Sequence, residues 1–344
     1  MRALMISNPN STSQSAAMFR QVLPVLRGVE GLHLRAQFTH YAGHAEEMVC
    51  GLSREDYDVI VVFGGDGTVN EIVNGLLGPV GHQAPRTHEI PALAVIPTGS
   101  ANVFVRALGF PNTPVEAAHV LARLLDNDIR REVSLGTWNE RWFAVNAGFG
   151  IDADVLARVD RAREKGFAAT PLRYLAVTWQ TYARARITPP RITVRAGSHD
   201  GADFVAHNVP LMFTSNTNPW TFLGPLPVVT NPRNSFEKGL ALFGVASLGG
   251  VSGLVGVMHL LGVDQRHYLA KITDTRILPF EDAEWVDLSC PVPHRFQADG
   301  ELEGEFSHVH LESVPNALEV FAPKDPRPPH QRSWREVLRD LISI

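Results

Sequence analysis

The first 130 residues alternate short apolar runs with segments of helical periodicity. Strands are predicted over residues 2–7, 33–39, 57–63 and 92–96, and a helix over residues 16–26. The run 57–63 is apolar almost throughout, which is typical of a strand that is buried on both faces. This alternation predicts an α/β domain over residues 1–130, in which helices cover a parallel sheet.

Beyond residue 130 the pattern changes to strands separated by turns, with one long helical stretch over residues 154–186. Strands are predicted over residues 131–135, 141–147, 191–195, 209–215 and 240–246. We therefore predict a β-rich, mainly antiparallel and β-sandwich-like domain over residues 131–322. Residues 323–344 are predicted to form a proline-rich linker followed by an amphipathic helix, which Ser333 begins with a capping box.

One apolar stretch, residues 240–263, contains no Asp, Glu, Lys or Arg and is long enough to span a membrane. Six glycines interrupt it, and Gly249-Gly250 is a turn signal. We therefore predict a strand, a turn and a buried helix over residues 251–261 instead of a membrane span.

The composition of the 344 residues, 44% hydrophobic and 19% charged, is that of an ordinary globular protein. A net charge of −5 provides no basic field, so no nucleic-acid partner is expected. The two cysteines, Cys50 and Cys290, form neither a disulfide framework nor a C-x-x-C pair. Together with the absence of a signal-peptide pattern at the first residues, this favours a cytoplasmic location.

The clearest chemical signal is G-G-D-G-T at residues 64–68, directly after the predicted buried strand 57–63 and before a helical apolar pattern. Glycines permit positive φ and let backbone N–H groups approach an anion, and a helix start adds partial positive charge. A glycine loop that leads into a helix is therefore suited to binding phosphate. Asp66 would repel bare phosphate, but Mg²⁺ accepts a carboxylate together with phosphate oxygens. Alternatively, Asp66 caps its helix.

A second loop, P-T-G-S-A-N at residues 97–102, also lies between a predicted strand and a helical pattern. Two such loops at the carboxyl ends of parallel strands are expected to line one crevice, where open α/β sheets bind ligands. The chain contains no G-K-S or G-K-T and therefore no Walker A loop. A dinucleotide G-x-G-x-x-G fingerprint is also missing after the first strand.

The sequence G-G-D-G-T-V-N-E at residues 64–71 resembles the nucleotide loop of the diacylglycerol kinase catalytic family, which includes sphingosine kinases and bacterial lipid kinases. Further segments resemble the family and follow in its order: Asn8-Pro9, Thr39 with Gly43-His44-Ala45, residues 97–102, A-G-F-G-I-D-A at 147–153 and A-D-G-E at 298–301. The resemblance therefore extends over most of the chain.

The resemblance implies an ATP-dependent lipid kinase that uses Mg²⁺ and phosphorylates diacylglycerol, its default substrate, to phosphatidic acid. It implies that ATP is contacted by Thr39, Gly64, Gly65, Asp66, Gly67, Thr68, Val69, Asn70 and Ser100. Asp66 would hold magnesium through Mg-ATP, and Glu301 would accept the proton of the lipid hydroxyl. A carboxylate suits that step, because an alcohol is a poor nucleophile until its proton is removed. Asp299-Gly300-Glu301 is equally typical of a plain turn.

The chain departs from the family pattern at two places. The family loop commonly reads G-T-x-N-D, whereas this chain has Ser100 in place of the threonine and Val103 in place of the aspartate. Serine keeps the hydroxyl, but valine removes a polar group. Bacterial members also carry a structural magnesium site near a D-D-G-L turn, and here Glu237 lies in the nearest match, F-E-K-G-L. The neighbouring Lys238 disfavours a metal ion there.

A local excess of basic residues occurs over residues 154–195, where nine Arg and Lys face three Asp and Glu. Aromatic residues are interleaved with them, among them Trp179. This composition suits an anionic membrane surface, so peripheral membrane contact is expected, although a solvated helix face would have the same composition.

Two alternatives stay open. An NAD kinase-like enzyme would share the G-G-D-G-T loop but would not explain the later segments. A nonenzymatic lipid- or nucleotide-binding regulator is favoured by Val103 and disfavoured by Asp66 and Glu301. The acceptor lipid and the oligomeric state stay open at this point.

Overall fold

The computed structural model describes residues 1–9, 16–81, 84–149, 189–224, 226–247 and 277–324. The chain forms two compact units. Unit 1 comprises Met1–Ala144 and Val314–Pro328, and unit 2 comprises Val145–Ser313 and Pro329–Ile344. The division into an ATP-binding and a lipid-binding domain stays a prediction.

Unit 1 is built on parallel strands β1 (Arg2–Ser7), β2 (His33–Phe38), β3 (Val59–Gly64) and β4 (Ala92–Pro97), in the order β2-β1-β3-β4. Every residue of β3 and β4 is buried, as expected for central strands of a covered parallel sheet. The helices are α1 (Ala16–Arg27), α2 (His44–Val49), α3 (Asp66–Leu77), α4 (Val103–Ala107) and α5 (Pro114–Asp126).

A hairpin of β5 (Arg131–Trp138) and β6 (Arg141–Phe143) follows the helices of unit 1. The chain returns to unit 1 over Val314–Pro328, where Val320 pairs in parallel with Leu93 of β4. Glu319 anchors this return, because its carboxylate lies 2.7 Å from Arg54 and 3.2 Å from Arg130.

Unit 2 is β-rich. Its strands are β7 (Asn146–Phe149), β8 (Ile192–Ser198), β9 (Asp203–Val209), β10 (Leu211–Ser215), β11 (Thr221–Leu223), β12 (Leu226–Val228), β13 (Leu240–Val245), β14 (Ile277–Ala298) and β15 (Glu301–Val320), whose last residues belong to unit 1. Strands β13, β10, β7 and β14 are neighbours in the sheet in that order, and each neighbouring pair is antiparallel. Strand β13 also pairs with β14. These four strands therefore close into a ring of pairings, which leaves none of them as a free edge. The predicted combination of an α/β part and a β-rich part is confirmed.

One predicted strand is divided in the structure. Residues 141–147 were expected to form a single strand, but β6 ends at Phe143 and β7 begins at Asn146. The two strands have different partners, because β6 pairs with β5 whereas β7 pairs with β10 and β14. An apolar run alone does not reveal where the pairing partner changes.

A histidine of the β14–β15 ladder makes the stability of unit 2 depend on pH. Nδ1 of His310 lies 2.8 Å from the carboxylate of Asp287, and its Nε2 lies 3.0 Å from that of Glu312. Partial burial lowers the pKa of His310, but the two carboxylates outweigh burial and raise the pKa overall. A histidine with a raised folded-state pKa stabilises the fold below its unfolded-state pKa, about 6.5, and loses that contribution as pH rises.

We therefore expect His310→Gln to lower the free energy of unfolding, relative to wild type, and to lower it by more at about pH 6 than at about pH 9. Urea unfolding at the two pH values measures this difference. His207→Gln is the control, because His207 is exposed on β9. A difference between wild type and His310→Gln that does not change with pH would contradict the expectation.

Candidate functional site

Several predicted site residues lie along one edge of the unit 1 sheet, at the carboxyl ends of its parallel strands. The N–H of Thr39, just after β2, donates to the carbonyl of Ser7 at the end of β1 (2.9 Å). The N–H of Thr98, just after β4, donates to the carbonyl of Gly64 at the end of β3 (3.0 Å). The two glycine loops are therefore adjacent, as predicted from their positions after neighbouring strands.

The glycines of the two loops allow their backbones to touch. A Cβ on Gly99 would lie 2.7 Å from Cα of Gly65, and a Cβ on Gly65 would lie 3.0 Å from Cα of Gly99. A Cβ on Gly64 would lie 2.8 Å from Cβ of Thr68. None of these glycines is among those with positive φ. Close approach, and not left-handed backbone, is therefore the reason for glycine here.

Asp66 links the two loops. Its two carboxylate oxygens accept hydrogen bonds from the backbone N–H groups of Val103 (2.9 Å) and Phe104 (3.0 Å), which begin α4. The alternative that Asp66 caps its own helix is wrong, because the N-cap of α3 is Gly65. Asp66 instead caps the neighbouring helix, where two N–H groups would otherwise lack partners.

The environment of the Asp66 carboxyl group has opposing electrostatic effects. Burial raises its pKa, while the hydrogen bonds from Phe104 and Val103 and the positive charge of Arg106 act in the opposite direction. Burial prevails, so the pKa lies above the ordinary range of an aspartate. A cation beside this carboxylate would favour its ionised form.

Asn102 closes the second loop. It is the N-cap of α4 with left-handed backbone, φ 51°, a conformation that asparagine tolerates better than most residues. Its Oδ1 accepts from the N–H of Gly99 (2.8 Å), and its Nδ2 donates to the carbonyl of Gly99 and to Asn112 (both 2.9 Å). Ser100, the predicted ATP contact, lies exposed within this closed loop.

Glu71 has a structural role that the sequence analysis missed. Its carboxylate accepts hydrogen bonds from the N–H groups of Gly43 (2.9 Å) and Ala45 (3.0 Å) at the start of α2. Helix α3 therefore carries two acidic residues that cap two neighbouring helices, Asp66 for α4 and Glu71 for α2. Both acidic residues lie in the family-like segment G-G-D-G-T-V-N-E, in which Asp66 is the third residue and Glu71 the last.

The later residues of the first loop point into unit 1. Thr68, Val69 and Asn70 are all buried. Asn70 Nδ2 donates to the carbonyl of Trp142 (3.1 Å), and Asn74 bonds both the carbonyl and the N–H of Trp142. The side chain of Asn70 therefore attaches α3 to β6, and the predicted ATP contacts of these three residues stay predictions.

In unit 2, Glu301 follows a tight hairpin turn between β14 and β15. Asp299 and Gly300 have φ values of 50° and 84°, and Ala298 pairs with Glu301 across the turn. Asp-Gly with positive φ at both positions is the usual two-residue hairpin turn. The segment therefore forms a turn, with Glu301 exposed at its end, and the role of Glu301 as proton acceptor stays a prediction.

The tip of this hairpin is fixed to β7. The carboxylate of the buried Asp299 accepts from the N–H groups of Val145 (2.7 Å) and Asn146 (3.1 Å). Gln297 accepts from the N–H of Gly300 (2.9 Å) and donates to the side chain of Asn146 (3.0 Å). These bonds hold the backbone from which Glu301 projects. The sequence analysis identified the segment A-D-G-E but not this role of Asp299.

Glu237 is exposed in the turn that precedes β13. Among the described residues, no group of three or more His, Cys, Asp or Glu side chains could hold a metal ion. The metal role suggested for Glu237 stays a prediction.

Three predicted features lie wholly or mostly outside the described residues: the basic region over 154–195, the helix over 251–261 and the C-terminal helix from Ser333. Strand β13, the first part of the apolar stretch, is present as predicted. No helix within the described ranges has the length and apolar character to cross a membrane.

Comparisons with known proteins agree on one family. Residues 2–138 match the family model of the diacylglycerol kinase catalytic domain. The chain is 35% identical over 151 residues to a diacylglycerol kinase of Bacillus subtilis strain 168, a match that covers 43% of this chain and 46% of that protein. It is 26% identical over 327 residues to a diacylglycerol kinase of Staphylococcus aureus strain Newman, covering 94% and 93% of the two chains.

Solved structures have the same fold. A diacylglycerol kinase from Bacillus anthracis strain Sterne superposes with a TM-score of 0.64 at 18% identity, covering 95% of this chain and 98% of that one. A second structure from the same organism gives a TM-score of 0.71 at 20% identity with the same coverage. The chain therefore has the fold of these solved structures, and its residues 2–138 match the catalytic domain of the diacylglycerol kinase family.

Proposed function

We propose that the protein is an ATP-dependent lipid kinase that transfers the γ-phosphoryl group to a lipid hydroxyl. The observation that carries the proposal is the pair of adjacent glycine loops at the carboxyl edge of the unit 1 sheet, with Asp66 linking them. Ligands of open α/β sheets bind at this edge. The match of residues 2–138 to the diacylglycerol kinase catalytic domain favours a kinase over an unrelated nucleotide-binding protein.

The residues present fit magnesium bound together with ATP. Each carboxylate oxygen of Asp66 accepts one backbone hydrogen bond, and an ionised carboxylate has about four lone-pair sites, so capacity is left for a cation. Magnesium is commonly held by one or two carboxylates plus substrate phosphates instead of a cage of protein ligands. When bound, it would neutralise charge on the transferring phosphoryl group. Asp66 is the residue that would hold it.

Glu301 would act as the general base. In this step its carboxylate takes the proton of the lipid hydroxyl, and the hydroxyl oxygen bonds to the γ-phosphorus. The bond between that phosphorus and the bridging oxygen breaks, and ADP leaves with the electron pair. The support for this role is that Glu301 is exposed and follows a hairpin tip that five hydrogen bonds hold.

Diacylglycerol, giving phosphatidic acid, is the acceptor we propose, and it places the enzyme in phospholipid metabolism. The names of the Bacillus and Staphylococcus relatives support this choice. A substrate that stays in the bilayer would be reached from the cytoplasm by peripheral contact, for which the basic composition of residues 154–195 is suited.

The proposal is tested by incubating the purified protein with γ-labelled ATP, magnesium, a total lipid extract and NAD. We expect label in a chloroform-soluble product that co-migrates with phosphatidic acid, and no label when magnesium is chelated. Labelled NADP would instead support the NAD kinase alternative. No labelled product, with nucleotide or lipid binding retained, would support a nonenzymatic regulator.

A further inference from the structure

Asn146, the first residue of β7, is a buried asparagine whose four polar atoms all make hydrogen bonds within unit 2. Its backbone N–H donates to the carboxylate of Asp299 (3.1 Å), and its carbonyl accepts from the N–H of Asp299 (2.9 Å). Its side-chain Oδ1 accepts from Gln297 (3.0 Å), and its Nδ2 donates to the carbonyl of Trp220 (2.9 Å). The function proposed above assigns no role to Asn146.

The side-chain hydrogen bonds of Asn146 belong to a chain that runs in one direction, which we call the amide chain (Gly300, Gln297, Asn146 and Trp220). The backbone N–H of Gly300 donates to Oε1 of Gln297 (2.9 Å), Nε2 of Gln297 donates to Asn146, and Asn146 donates to the carbonyl of Trp220. The first group can only donate and the last can only accept, so the orientation of both side-chain amides is determined. Hydrogen bonds linked in this way polarise and strengthen one another.

The far end of the amide chain lies in the hydrophobic core of unit 2. The ring of Trp220 packs against that of Phe213, with centroids 4.3 Å apart, and its backbone N–H donates to the carbonyl of Val228 (3.0 Å). Trp220, Phe213 and Val228 belong to one cluster of buried side chains. Because such an interior is closely packed, the carbonyl that ends the amide chain has a fixed position.

The near end of the amide chain is the hairpin tip that precedes Glu301. Asp299 bonds the backbone of Asn146 directly, Gly300 is connected to it through Gln297, and Ala298 pairs with the next residue of β7. The backbone that leads into Glu301 is therefore held against β7 on one side of the turn. A displacement of reacting groups by about 1 Å can cost about 100-fold in rate.

We propose that Asn146 is a positioning residue for the proton transfer: through the amide chain it fixes the backbone from which Glu301 presents its carboxylate to the lipid hydroxyl. This inference rests on the proposed function, in which Glu301 accepts the proton. Asparagine suits the role because one short side chain offers both a donor and an acceptor. The effect of Asn146 is exerted through Glu301 and not through contact with the substrate.

Asn146→Leu, which has a similar volume but no side-chain polar atom, tests the role of Asn146. We expect kcat for phosphoryl transfer to the lipid to fall by about tenfold or more. The KM for ATP should stay within about twofold of wild type, because the glycine loops belong to unit 1. Asn146→Asp keeps an acceptor for Gln297 and should therefore retain a higher kcat than Asn146→Leu. Urea unfolding checks that each variant is folded in the assay.

A double-mutant cycle with Glu301→Gln separates positioning from a general loss of structure. Residues that act as a unit have non-additive effects. Adding Asn146→Leu or Asn146→Asp to Glu301→Gln should therefore lower kcat by less than about threefold further. Asn231→Leu is the matched control, because Asn231 is equally buried in unit 2 and its Nδ2 donates to the carbonyl of Leu242 on β13 (3.1 Å). Its kcat should stay close to that of its parent in both backgrounds.

The inference fails in three cases. If Asn146→Leu is folded and keeps the kcat of an active wild type, the positioning role is wrong while the proposed kinase function stands. If the substitutions of Asn146 lower kcat by the same factor with and without Glu301, Asn146 acts on stability or on another group. If wild type transfers no phosphoryl group to lipid, the inference and the proposed function both fail.

Discussion

Asp66→Asn is expected to abolish phosphoryl transfer and to lower the stability of unit 1. The amide removes the negative charge that a magnesium ion would need, and it keeps only one of the two acceptor oxygens that receive the N–H groups of Val103 and Phe104. Hydrogen bonds to a charged group contribute about 1.5–3 kcal/mol, so the free energy of unfolding should fall by about that amount. Steady-state turnover and urea unfolding measure the two effects.

A matched control separates the metal role of Asp66 from its capping role. Glu71 lies on the same helix, and its carboxylate accepts two backbone N–H groups of α2 at 2.9 and 3.0 Å, the same distances as at Asp66. Glu71→Gln should therefore lose comparable stability but keep most of its kcat at saturating ATP. Equal losses of kcat in both variants would mean that Asp66 acts only as a cap. Near-wild-type turnover of Asp66→Asn would exclude the metal role.

Much of unit 1 could be predicted because its central strands are buried on both faces. The predicted strand 2–7 coincides with β1, and the predicted strand 92–96 differs from β4 by one residue. The buried runs of β3 and β4 consist almost wholly of apolar residues, and glycine or proline ends each of them. Burial of this kind leaves a continuous apolar signal in the sequence.

The long hairpin of unit 2 left no such signal. Strand β14 has 22 residues and β15 has 20, and both alternate irregularly between buried and exposed positions. Strand β14 pairs with β13, β8, β7 and β15 along different parts of its length, and its register shifts four times along these pairings. Each part of β14 therefore buries side chains against a different neighbouring strand, so no single hydrophobic period describes the whole strand.

The motif located the first glycine loop but did not reveal how it is held. The partner atoms of Asp66 lie 37 and 38 residues later in the chain, and those of Glu71 lie 28 and 26 residues earlier. Such pairs depend on the order of strands in the sheet, which periodicity does not give. The acidic residue within a phosphate loop was nonetheless a usable signal, because it required some partner to offset its charge.

Glu301→Gln is expected to lower kcat by about 10²–10⁴-fold while ATP affinity stays close to wild type, because the variant lacks only the proton acceptor. The fold should be retained, since Glu301 is exposed and the hairpin tip is held by Asp299 and Gln297.

Glu305→Gln is the matched control for this substitution. Glu305 lies four residues later on β15, and its exposed carboxylate, 3.7 Å from Arg295, forms a surface ion pair of the kind worth about 0–1 kcal/mol. We expect its kcat and ATP affinity to match wild type. A comparable loss of kcat in Glu305→Gln would indicate that negative charge on this hairpin matters generally. If Glu301→Gln lost ATP affinity but kept turnover at saturation, Glu301 would belong to the nucleotide site, and another group would have to accept the proton.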